Sequence, residues 1–283
     1  MGSPEARKEV SITLNMASLH GALTHRVQEL SQYVSAAFAS TLIEEEPPGG
    51  FPGTALHYQY PRLSTWNPTE ARQGYERWVL LSAFRELADS TGLFLDGVQH
   101  MCSVWRLLEA QARSGGVTAA DFQRERIDEP KRFQKSFIPI KLRILTELYG
   151  LILHRDVLDQ ILSMNAARNC LVHRGGLVTE RDRNCPEGLE VKWVKGLIIL
   201  KDKTGEREVL PPVTMDGGDQ LLLQQQLTSK TFGMGTDISF SSREFADIAW
   251  AVSVFGMRVV SAVEVRGREL GVAVEQNAIE TTA

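Results

Sequence analysis

Two adjacent glycines, Gly175 and Gly176, divide this chain into two kinds of sequence. Ahead of them, apolar residues recur every three or four positions, the spacing that gathers them on one stripe of a helix. Behind them, "LEVKWVKGLIILKDKTGEREVL" alternates in places and is rich in Val, Ile and Leu, which suits strands. A chain patterned this way is expected to be mainly α, a helical bundle with a small β-hairpin or strand insertion before its C-terminal helix.

The first helical pattern runs from about Ala17 to Glu46, with Leu19, Leu23, Val27, Leu30, Val34 and Phe38 in register. "EEEPPGGFPG" ends it, because paired prolines and glycines cannot continue a helix. The following loop, "HYQYPRLSTWNP", carries the aromatics Tyr58, Tyr60 and Trp66 and is expected to pack on the body. A second long helix begins near Pro68, with Thr65 or Asn67 as N-cap, and Gly92 or Gly97 is where it would divide in two. "SGGVTAADF" is a stop and restart capped by Thr118. Helices resume at "IKLRILTELYGLIL" and at "RDVLDQILSMNAARNCLVHR", the latter half-buried through Val157, Leu158, Ile161, Leu162, Met164, Leu171 and Val172.

Past the glycines, "DKTGE" has the composition of a hairpin turn, whereas "QLLLQQQL" fits strand and helix equally. Ser241 and Glu244 form a capping-box pattern at the head of a final helix. Four segments follow: residues 1–67, an N-terminal helix and aromatic loop; 68–176, a helical core; 177–240, a β-rich insertion; and 241–283, the last helix and tail.

Composition narrows the function. The net charge is −4, so a nucleic-acid site must be a local basic patch, since phosphate binding depends on where Lys and Arg sit. Three cysteines, Cys102, Cys170 and Cys185, argue against a disulfide framework and suit the cytoplasm. The most apolar run, "IAWAVSVFGMRVV", reads as short of a membrane span and is interrupted by Arg258.

Neither a phosphate-binding glycine loop nor a zinc-protease or hydrolase signature occurs in the sequence, so those chemistries lack their usual residues. Cys170, His173 and Cys185 lack the fourth ligand that a closed zinc site needs, and "DGGD" at 216–219 reads as a turn. No cofactor and no metal is expected.

What remains is "AARNCLVHRGG", where an apolar helix places Arg168, Asn169 and His173 in its last turns and then stops. Asn169 and His173 are four apart and share a helix face, while Arg168 lies roughly 140° around from His173. Arg and His suit any helix C-terminus, whose partial negative charge favours cations, and Gly175 is an ordinary residue past a helix end. The same three residue types also make a small catalytic set. Imidazole exchanges protons near neutral pH, guanidinium stabilises a phosphate as charge builds on it, and an amide orients either one. Metal-independent cleavage of RNA needs just these roles: a base for the 2′-hydroxyl and a cation for the phosphate it attacks. One such set is sparse for acid and base together, and two copies facing across a two-fold axis supply both.

"ARNCLVHRGG" resembles the Arg-[Asn/Asp/His]-x3–5-His signature of the HEPN superfamily, all-helical domains common in prokaryotic defence and toxin systems. The resemblance implies a helical bundle, a dimer whose motif helices face each other, and often metal-independent endoribonuclease activity. It carries over Arg168, Asn169 and His173 as catalytic candidates. It also implies phage defence or a toxin's role, with an antitoxin or defence-system partner. Some members bind RNA or nucleotides without cutting, which is the alternative function. The specific match covers about ten residues, and Met164 stands where some active members carry an acid.

Two further groups are candidate RNA contacts. Lys131, Arg132 and Lys135, beside Phe133 and Phe137, compose a basic and stacking surface or else a solvated helix face with its phenylalanines inside. Arg174 and Arg181, at and just past the motif, are candidate rim residues.

Overall fold

The computed structural model describes residues 15–39, 67–209, 213–215 and 217–271. Helix α1 (Met16–Ala39) buries Met16, Leu23, Val27, Leu30 and Val34, the stripe that its spacing predicts. The expected extension to Glu46 and the aromatic loop lie outside the described residues. Helix α2 (Pro68–Ser114) starts at Asn67, whose side-chain oxygen accepts from the N–H groups of Thr69 and Glu70. It ends at Gly115, in the left-handed conformation at φ 70°.

Neither Gly92 nor Gly97 divides α2, which runs 47 residues unbroken. A Cβ at Gly97 would lie 2.6 Å from Leu19 Cδ1 of α1, so this glycine is there to let another helix approach. In the last helix, α7 (Ser242–Glu269), Gly256 plays the same part, with 2.7 Å to Leu23 Cδ2. Each costs roughly 0.5–1 kcal/mol in helix propensity, and together they seat α1 against both long helices. At Gly92 the backbone carbonyl accepts from Lys141 Nζ at 3.2 Å, and the same ammonium pairs with Asp96 at 2.7 Å.

Between these lie four shorter helices and a π-helical turn. Thr118 caps α3 (Ala119–Gln123) in a reciprocal bond with Asp121. A π-helical turn over residues 124–128 leads into α4 (Glu129–Gln134), and α5 (Ile138–Glu147) and α6 (Arg155–Arg174) follow.

The insertion is a three-stranded antiparallel sheet, ordered β2-β1-β3, with β1 at Gly188–Asp202, β2 at Gly205–Val209 and β3 at Gln220–Gly233. The ambiguous "QLLLQQQL" is strand, paired along its whole length with β1 from Lys201↔Gln220 to Val194↔Leu227, and the ladder continues to Gly188↔Gly233. Leu189, Val191, Trp193 and Phe232 at the near end of the sheet are buried, and Trp193 and Phe232 meet the Phe240 ring edge-on at 6.1 and 5.2 Å. At the far end Leu221, Leu223 and Leu227 are exposed. Where β1 has no strand beside it, α6 covers its edge: the Lys192 N–H donates to Ser163 Oγ at 2.9 Å.

Helix α7 closes the bundle, opening on the Ser241–Glu244 capping box that its sequence announces. The run around Arg258 belongs to a 28-residue helix, and among the described residues α7 alone is long and apolar enough to cross a membrane. Half of its most apolar window, mean hydropathy 1.6, is buried inside the protein. Phe245, Ile248, Ala249, Val252, Phe255 and Val259 lie in one core with α1, α2 and the sheet.

Candidate functional site

Helix α6 carries the motif on its last two turns. Met164, Ala167, Cys170 and Leu171 are buried and fix its orientation, which leaves Arg168 and Asn169 half-buried and His173 exposed. The helix stops at Gly175, φ 61°, a conformation that costs a residue with a Cβ about 1 kcal/mol or more. Past it the chain is stapled in place. Ile238 N–H donates to the Gly176 carbonyl at 2.8 Å and Val178 N–H to Thr236 at 2.9 Å. Arg77 of α2 donates to the Gly175 carbonyl and pairs with Asp237 at 3.1 Å.

The four polar residues of this segment divide sharply. Arg174 forms a two-point ion pair with Asp182, its Nε donating at 2.7 Å and its Nη2 to the second oxygen. The Asp182 side chain is 1% exposed and also accepts from the N–H and hydroxyl of Thr179 at 3.0 and 2.9 Å. Burial alone would raise its carboxyl; Arg174 and Thr179 outweigh that and hold it below the ordinary range. Among the described residues Arg168 has no such partner. Its Nη1 donates to Asn169 Oδ1 at 3.2 Å, and its Nε is buried without a hydrogen bond. Among the described residues, the His173 side chain makes neither a hydrogen bond nor an ion pair. The fold thus brings Arg168 and Asn169 into contact, sets His173 one turn beyond Asn169, and engages Arg174 elsewhere.

The other candidate contacts lie apart in sequence and on other elements. Lys131 and Arg132 on α4, and Lys135 just past it, are exposed. Phe133 beneath them is buried, with Lys141 Nζ 5.4 Å from its ring centroid, whereas Phe137 is 78% exposed. Arg181 is exposed on the single turn Glu180–Asp182, and Arg183 beside it pairs with Glu180 at 3.0 Å. Cys170 is buried, its thiol pushed up to about 11 by desolvation, and donates to the Leu177 carbonyl at 3.4 Å. A thiol in that state is no nucleophile. Of "DGGD", Asp216 lies outside the described residues, and Gly217 and Gly218 turn into β3.

Asp182, Arg77 and Asp237 position the motif without belonging to it. Thr179-x-x-Asp182 is itself a capping-box spacing, so Asp182 had a local signal. Arg77 and Asp237 stand 160 residues apart, and no local pattern links them. No family model, curated protein or solved structure matches the chain.

Proposed function

We propose that this protein is a metal-independent endoribonuclease of HEPN type, a cytoplasmic homodimer acting in phage defence or as a toxin. One observation carries the reading: among the described residues, the side chains of Arg168, Asn169 and His173 at the end of α6 have no partners beyond the Arg168–Asn169 contact, while Arg174 beside them is paired with Asp182.

In the proposed reaction His173 takes the proton of a 2′-hydroxyl, and the 2′-oxygen forms a bond to the adjacent phosphorus as the bond to the 5′-oxygen breaks. Arg168 donates to the non-bridging oxygens as negative charge builds on them, and Asn169 holds the Arg168 side chain. The departing 5′-oxygen receives a proton from His173 of the second copy. The products carry 2′,3′-cyclic phosphate and 5′-hydroxyl ends. Exposed Arg181, Lys131, Arg132 and Lys135 are the candidate phosphate contacts along the strand.

The test is incubation of the purified protein with single-stranded RNA in EDTA, with end-group analysis of the products. Cyclic phosphate ends that disappear in Arg168→Ala and His173→Ala support the proposal. Undiminished cutting by both variants removes the catalytic assignment, and salt-sensitive RNA binding without new ends replaces it with a non-catalytic RNA-binding module.

A further inference from the structure

The two edges of the sheet are built differently. Strand β2 carries Glu206, Arg207 and Glu208 among its five residues, charges of the kind that keep a foreign strand from adding. Strand β3 carries no charge and no proline from Gln220 to Ser229. It runs 14 residues, more than twice the roughly five or six of an ordinary strand, and β1 pairs with one side of it. Among the described residues nothing pairs with the other side, and residues 220–227 are exposed.

The exposed stretch has a centre. Leu223-Gln224-Gln225-Gln226-Leu227 reads the same in both directions. Leu223 and Leu227, 67% and 59% exposed, are the most exposed apolar side chains of the strand, and they share one face with Gln225. Arg258 of α7 donates to Gln225 Oε1 at 2.9 Å and pairs with Asp156 at 3.4 Å. Among the described residues the Gln225 amide is thus held by its oxygen, with its nitrogen left to donate.

We propose that β3 pairs antiparallel with β3 of a second copy of this chain, about a two-fold axis at Gln225, so that two three-stranded sheets become one of six strands. In that register Leu223 stands opposite Leu227 of the second copy, Gln224 opposite Gln226, and Gln225 opposite its own counterpart. Each leucine leaves water against another leucine, and each glutamine meets an amide that both donates and accepts. Like charges do not face each other, because the paired run holds none; Lys230 at its end is matched by Glu244 of its own chain at 3.0 Å. The palindrome selects a second copy over an extended segment of another protein, which needs no such symmetry. The interface shares no residue with the α6 motif, so the proposal stands independently of the ribonuclease reading.

Cysteine cross-linking of the full chain reads this register directly. In a Cys185→Ser background, where Cys102 and Cys170 are buried, Gln225→Cys should give a disulfide-linked dimer on mild oxidation, since facing Cα atoms lie about 4.5–5.5 Å apart. Leu223→Cys and Leu227→Cys should each stay uncross-linked alone, because their own counterparts lie roughly 14 Å away along the strands. Mixed together, these two should cross-link. Adding Leu223→Lys and Leu227→Lys to Gln225→Cys should lower cross-linking about tenfold or more, because each ammonium then faces another. All three positions are exposed, and circular dichroism verifies that the variants fold. Absence of a cross-linked dimer from Gln225→Cys, or cross-linking undiminished by the lysines, overturns the interface and leaves the edge to an extended segment of another protein. Leu223→Cys cross-linking as well alone as in the mixture overturns the register.

Discussion

Arg168 and Arg174 leave the same helix six residues apart and meet different surroundings. Arg174 faces a buried carboxylate that answers its fork at two points, and that carboxylate is held in turn by Thr179. Arg168 faces one neutral amide and keeps a buried nitrogen with no acceptor. An arginine with its own carboxylate belongs to the fold, and removing either partner strands a charge. An arginine with spare donors is available to a ligand's phosphate. The two should therefore separate cleanly when activity and stability are measured in parallel.

The largest effect is expected at the motif. Arg168→Ala and His173→Ala should each lower RNA cleavage by about 10²-fold or more, the scale of lost acid–base or oxyanion assistance. Their urea midpoints should stay near the wild-type value, and a large loss of stability in either would erase the contrast with Arg174. Next comes Asp182→Asn, which should cost about 3 kcal/mol in urea unfolding, because it leaves the Arg174 charge without its partner.

That second loss has a pH signature. The Asp182 carboxyl is held below its ordinary range, so the stability it lends is complete above the unfolded value and is lost as pH falls through the folded one. The gap between wild type and Asp182→Asn should stay constant from pH 7 to about 5 and close below about pH 4. A gap that widened in acid would contradict the ion-pair account. Gly175→Ala should cost about 1–2 kcal/mol through its left-handed backbone, since no side chain blocks a Cβ there within 3.4 Å. Smallest is Arg77→Ala, whose pair with Asp237 is roughly half exposed on both sides; under about 1 kcal/mol is expected.

What the sequence made legible was local. The stripe of α1, that of α6 apart from the exposed Leu162, and the caps at Asn67, Thr118 and Ser241 depend on residues within one or two turns of each other. The continuity of α2 was hidden because Gly97 answers to Leu19, nearly eighty residues earlier in the chain. The character of "QLLLQQQL" was hidden for a similar reason: its pairing with β1 decides it, and its own alternation does not. At the motif, the spacing of Asn169 and His173 predicted a shared face. Nothing local said that Arg174 would be claimed by Asp182 while Arg168 would not.

The unbroken α2 has one more consequence. At 1.5 Å per residue its 47 residues form a rod about 70 Å long, clamped near its middle by Leu19 against Gly97 and by the Lys141–Asp96 pair. Deuterium should enter that middle only when the whole bundle opens. The Arg77 strut that braces the Gly175 turn stands on the same helix, nearer its start than the clamp, so the turn is tied to the bundle through one continuous rod.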